Sequence, residues 1–89
     1  MIIEVASLVA ELDKVRVQIR MLEVRIHAQR LRAQHLLAEG DATSREVAAR
    51  FIREADGLEA DLKLVREYER RLAERIALKN GQKDDEGKA

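Results

Sequence analysis

The chain has no cysteine, no proline, four glycines and two aromatic side chains, Phe51 and Tyr68, among 89 residues. Each scarcity closes off a class of protein. Without cysteine there are no disulfides, no thiol catalysis and no cysteine-ligated zinc. The lack of proline fits a helical chain. With two aromatics the core must be aliphatic, and no aromatic platform exists on which single-stranded bases could stack. Charge of one sign is also missing: 17 Lys and Arg balance 17 Asp and Glu. That balance argues against a whole-protein electrostatic grip on nucleic acid or an anionic membrane. No apolar run approaches the ~20 residues that span a bilayer. The opening MIIEVASLVAELDK is apolar but contains Glu4, Glu11 and Asp13, without a basic region or a cleavage site. It reads as neither signal peptide nor anchor, so the expectation is a soluble, cytoplasmic protein.

What is present is hydrophobic and charged in alternation, 46% and 38% of the residues, the composition of a coiled-coil-like helical chain. From Ile2 to Glu39 no glycine intervenes, and apolar residues fall at Val5, Leu8, Leu12, Val15, Ile19, Leu22, Ile26, Ala33 and Leu36, interrupted only by Gln29. This is a sustained heptad stripe. At ~1.5 Å per residue such a helix is about 57 Å long, too long to be buried end to end in a small globule. A strand competes locally, because Val15, Val17, Ile19 and Met21 alternate with Arg16, Gln18 and Arg20. The alternation slips at Met21-Leu22 and the heptads continue on both sides, so the helix is the expectation.

Gly40 can take the left-handed conformation that ends a helix, and Thr43 to Glu46 reads as a capping box, with Thr43 accepting from the Glu46 amide and Asp41 as the alternative cap. The second helix then starts near Ser44. Its stripe is Ala48, Phe51, Ala55, Leu58, Leu62, Val65, Leu72 and Ile76, with Ile52, Leu64, Tyr68 and Leu78 lying off it. Gly57 inside it marks either a close crossing or bend, or a tolerated surface glycine. Asn80-Gly81 reads as a stop, and the polar stretch after it as disordered. The expected organisation is a helical hairpin over residues 1–80, with helix 1 at about 2–39, a turn at 40–43 and helix 2 at about 44–80, followed by a polar tail at 81–89.

A short loop turns the helices back antiparallel. If the stripes face each other, Leu36 meets Ala48, Ala33 meets Phe51, Gln29 meets Ala55, Ile26 meets Leu58, Leu22 meets Leu62, Ile19 meets Val65, Leu12 meets Leu72 and Leu8 meets Ile76. Small opposes large near the turn, as close packing requires. Gln29, Glu69 opposite Val15 and Lys79 opposite Val5 are expected to reach solvent at the edge. The hairpin core is therefore expected at Leu8, Leu12, Ile19, Leu22, Ile26, Phe51, Leu58, Leu62, Val65, Leu72 and Ile76. Charge agrees with this register. Lys14, Arg16, Arg20, Arg25, Arg30 and Arg32 outnumber Glu23 between Lys14 and His35, whereas Leu36 to Leu62 is net acidic.

One stripe does not use up the apolar residues of helix 1. Val17, Met21, Val24, Ala28 and Leu31 form a second band on nearly the opposite side. An unburied band of this kind marks an interface. The expectation is a homodimer, two hairpins forming a four-helix bundle with their first helices central, because closed two-fold dimers are the commonest solution. An unidentified protein partner is the alternative.

Nothing in the sequence assembles chemistry. The hydroxyls besides Tyr68 are Ser7, Thr43 and Ser44, and none stands at a recognisable spacing from a histidine. His27 and His35 lie roughly 80° apart around a helix, unsuited to one metal. Glu23 and His27 form an i, i+4 pair that could bind zinc across a dimer, against the simpler reading as solvated side chains. No glycine loop cradles phosphate. The expectation is a non-enzyme with no cofactor and no metal. Arg16, Arg20, Arg25, Arg30 and Arg32 could contact phosphates if a bundle arrayed them in a stripe with Lys63, Arg66, Arg70, Arg71, Arg75 and Lys79. Interleaved acids favour the simpler reading of a solvated surface.

The turn Ala38-Glu39-Gly40-Asp41, set between heptads, resembles that of the small subunit of exodeoxyribonuclease VII, also a short helical hairpin. The likeness covers the turn and its flanking heptads, and the first helix here is longer. It implies an accessory subunit of an enzyme such as a nuclease. The sequence as a whole is read as a non-catalytic protein-protein interaction module, a small regulator, adaptor or assembly factor acting as a helical dimer. A basic helical bundle associated with nucleic acid and the accessory subunit are the alternatives.

Overall fold

The computed structural model describes the backbone of residues 2–88 and the side-chain exposure of residues 4–81. Two helices pack along their lengths as an antiparallel hairpin, α1 (Ile2–Glu39) and α2 (Ala42–Lys88). The rod measures 71 × 15 × 14 Å. Its long dimension is that of α2, whose 47 residues at ~1.5 Å each extend about 70 Å. The Val15 to Met21 segment is helical like its surroundings, so the continuing heptads override its β-branched preference.

The connection is two residues long, shorter than the expected turn at 40–43. Gly40 adopts φ +78°, the left-handed C-terminal stop of α1. The next residue, Asp41, already caps α2. Its Oδ2 accepts from the Ser44 amide at 3.3 Å, and its backbone carbonyl accepts from the Arg45 amide at 3.1 Å. The Thr43–Glu46 capping box and the start near Ser44 are therefore corrected in favour of the alternative cap. A helix restarted immediately after Gly40 puts Thr43 inside its first turn, where it no longer stands at the capping position. Ser44, 8% exposed, donates its hydroxyl to Glu39 Oε2 at 3.0 Å and ties the end of α1 to the start of α2. Arg45 donates to the Gly40 carbonyl at 3.2 Å. The turn is thus satisfied by its own side chains.

The seam follows the expected stripes. Leu12, Val15, Ile19, Ile26, Ala33, Ala48, Ala55, Leu62 and Leu72 are buried, and Leu8, Leu22, Leu58, Val65 and Ile76 pack against them partly buried. Phe51 is half-buried, with the Arg32 guanidinium 5.9 Å from its ring centre. Polar contacts between the helices keep the same register. Arg16 pairs with Glu69 at 3.4 Å, Gln29 donates to Glu54 at 3.1 Å, and Lys79 pairs with Glu4 at 2.6 Å. Arg30–Glu59 at 2.6 Å and Arg66–Glu23 at 3.7 Å cross further along the rod. Gln29 departs from the expectation that it reaches solvent: its Oε1 is buried without a partner.

On α2 one of two alternatives is favoured and one expectation changes. Gly57 has open space where a Cβ would stand, so no close crossing requires it. The stop at Asn80-Gly81 does not occur, and helix replaces the expected disordered tail as far as Lys88. Gly40 is the positive-φ glycine of the described residues, and Gly81 stays helical. Without a left-handed residue or a following proline, the Gln, Lys and Glu residues beyond Gly81 continue the helix they intrinsically favour. Ala89 lies outside the described residues.

Candidate interaction surface

The site is the side of α1 turned away from α2. At about 100° of rotation per residue, Val17, Met21, Val24, Ala28 and Leu31 fall opposite the seam residues Val15, Ile19, Leu22 and Ile26. The structure leaves this face open. Val17 is 50%, Met21 61%, Val24 68% and Leu31 43% exposed, and Ala28 is exposed with them. Ala6 and Ala10, also exposed, extend the same face towards the N-terminus. Periodicity would have found both, because they stand eleven and seven residues before Val17. Isolated apolar residues on a surface are ordinary, but a continuous strip along several helical turns is not.

The strip has charged borders. Val17, Met21 and Val24 line a shallow depression of about 380 Å3 whose remaining walls are Arg20 and Arg25. Neither arginine pairs with a carboxylate among the described residues. Helical rotation places Lys14 and Arg32 on the Arg25 edge, and His27 and Asp13 on the Arg20 edge. The sequence counted these cations by sign along the chain; their angular position makes them the border of an apolar strip.

The five arginines named as a nucleic-acid stripe do not gather on one line. Arg16 and Arg30 turn to Glu69 and Glu59 across the seam, Arg32 lies over Phe51, and Arg20 and Arg25 stand on opposite edges of the apolar strip. Glu23 pairs with Arg66 at 3.7 Å, which engages the carboxylate of the Glu23–His27 pair. Among the described residues no group of three His, Cys, Asp or Glu comes together as a metal-binding set.

The outer side of α2 has a different character. Arg70 bonds to Glu67 and Glu74, and Arg71 to Glu67, all within the helix. The Glu67 carboxylate holds the Arg70 guanidinium above its usual pKa, and Arg70 lowers that of Glu67 in return. Leu64 at 71% exposure, Tyr68 at 46% one turn on, and Leu78 at 68% stand interspersed with these charges. The ion pairs are exposed and contribute little to stability, but they satisfy the surface locally.

No family model, curated protein or solved structure matches the chain. Among the described residues, no helix is long and apolar enough to cross a membrane.

Proposed function

We propose that this protein is a non-catalytic interaction module, a small regulator, adaptor or assembly factor, that packs the outer face of α1 against another helix. The observation that carries the reading is that a helix already packed on one side presents a second continuous apolar strip on the other. Such a strip gains several kcal/mol when covered, at ~25 cal/mol per Å2 of apolar surface, before the cost of association. Its Val, Met, Ala and Leu side chains suit close helix packing, with small residues allowing approach and the methionine adapting to what it meets.

A second copy is the simplest cover. Two hairpins meeting through their α1 faces about a two-fold axis bury both strips at once, place the first helices centrally and leave the charged outer sides of α2 in water. Sedimentation at micromolar concentration tests it. The expected result is a mass twice that of the chain, reverting to a helical monomer in Val24→Asp. A stable helical monomer at every concentration removes the dimer.

A further inference from the structure

The borders of the α1 strip discriminate between occupants. On one edge stand Lys14 and Arg25, and on the other Arg20 and His27, with Asp13 the single acid, while Arg32 turns to Phe51. Two copies can pair through this face in two directions. Antiparallel pairing sets each edge against its own copy in reversed order, so Lys14 of one chain can face Arg25 of the other. Parallel pairing sets the two edges against each other, so Arg20 meets Arg25. Either way cations face cations, the arrangement that coiled coils use to reject a partner. Arg20 and Arg25 pair with no carboxylate of the hairpin among the described residues.

We infer that the preferred occupant of the α1 outer face is an acidic amphipathic helix of another protein, whose carboxylates border its own apolar stripe and meet Arg20 and Arg25. This rests on the proposed reading of the face as a docking surface. The second copy is then the weaker occupant, displaced by the acidic helix. An anionic lipid surface shares the charge complementarity but fits the strip less well. Helices that lie in a membrane interface anchor through Trp, Phe and Leu, and this strip has no aromatic residue.

The sign of the salt dependence separates these occupants. Attraction between opposite charges weakens as salt screens it, whereas repulsion between like charges is relieved. The experiment titrates the full chain with a synthetic helical peptide of about 21 residues, six turns, carrying leucine along one stripe and glutamate on its borders. A twin peptide has lysine for glutamate. At about 50 mM NaCl the acidic peptide is expected to bind at least tenfold more tightly than its twin, an advantage that shrinks at about 0.5 M. Without peptide, self-association is expected to strengthen over the same change. The double change Arg20→Glu with Arg25→Glu, with its helical circular dichroism checked first, should reverse the preference between peptides. Equal binding of both peptides, or self-association that weakens with salt, overturns the inference and leaves the docking face standing. Undiminished acidic-peptide binding by Val24→Asp instead overturns the face itself. Binding to phosphatidylserine-containing vesicles but to neither peptide overturns the inference in favour of a lipid surface.

Discussion

Val15 and Val17 are the same residue type two positions apart on one helix, yet the first is 2% exposed and the second 50%. Leu22 and Val24, and Ile26 and Ala28, repeat the contrast about two and three turns further on. The two sides of α1 are close in composition and opposite in environment, because one side has met α2 and the other has met nothing in this chain. On α2 the contrast takes the ordinary form of an aliphatic seam and an outer side of ion pairs around Glu67, Arg70 and Glu74. Apolar character on the outside of α1 is therefore not a general property of this rod. It belongs to one helix, and it has charged borders there.

The largest expected effect tests whether the two sides of α1 are separable. Leu22→Asp places a carboxylate in the seam and removes a leucine packed against its core, a loss of roughly 3–5 kcal/mol, comparable to the whole stability of a small domain. Circular dichroism should show an unfolded chain. Val24→Asp should keep its helical signal and lose self-association, because the new charge lies on the open side. The same unfolded monomer from both changes would make the two sides one cooperative core and dissolve the distinction.

Next in size is Gln29, the polar residue within the seam. Its amide nitrogen Nε2 donates to Glu54, and its buried Oε1 has no partner. Gln29→Leu removes the unsatisfied acceptor and extends the apolar stripe, and should raise stability by about 1–2 kcal/mol in denaturant unfolding. A decrease would show that the Gln29–Glu54 bond outweighs the orphaned oxygen. Buried polar groups in coiled coils also fix register, so the stabilised variant should be checked for slipped or higher assemblies.

Two glycines give opposite signs of similar size. Gly40→Ala forces a Cβ into the left-handed region at φ +78°, for a loss of roughly 1 kcal/mol. Gly57→Ala fills open space in a helix, for a gain of roughly 1 kcal/mol. Melting temperatures moving in opposite directions would confirm the pair. A destabilised Gly57→Ala would mean that the outer side of α2 is covered by something after all, which would weaken its contrast with α1.

Much of the hairpin was legible because heptad spacing encodes which side of a helix is buried. The stripe through Leu12, Ile19 and Ile26 and its counterpart through Ala55, Leu62 and Leu72 needed no other information. The turn was less legible. Asp41, Thr43 and Ser44 are all competent caps, and choosing among them depends on how soon the backbone re-enters helix after Gly40, which side-chain types alone do not specify. Gly81 failed as a stop for a related reason: a glycine permits the left-handed conformation but does not impose it. The apolar strip of the candidate site was readable from spacing, as its opposition to the seam follows from rotation alone. Its borders were harder, because Arg16, Arg20, Arg25 and Arg30 look alike in sequence, and only the fold separates those that reach an acid on α2 from those that do not.

The smallest effect concerns pH, and it should touch the hairpin without touching the open face. Ser44, whose amide donates to Oδ2 at 3.3 Å, holds the Asp41 carboxyl below its ordinary value of 3.8. Lys79 does the same for Glu4, and Arg70 for Glu67, each below 4.5. A carboxyl whose folded pKa is depressed contributes stability that is present above its unfolded value and is lost as pH falls through the folded one. The hairpin should therefore hold its stability down to about pH 5 and lose a modest part of it on further acidification. Asp41→Asn keeps an oxygen that can cap α2 but cannot titrate. Its stability should lie below the wild type at neutral pH, with the gap closing as the wild-type carboxylate protonates. Parallel profiles for the two proteins would remove the Asp41 cap from the account. These groups lie at the turn, near the far ends of the helices and on α2, away from the Val17 to Leu31 strip. Loss of self-association in the same window, with helical content intact, would tie assembly to the hairpin's own carboxylates and break the separation of the seam from the open face.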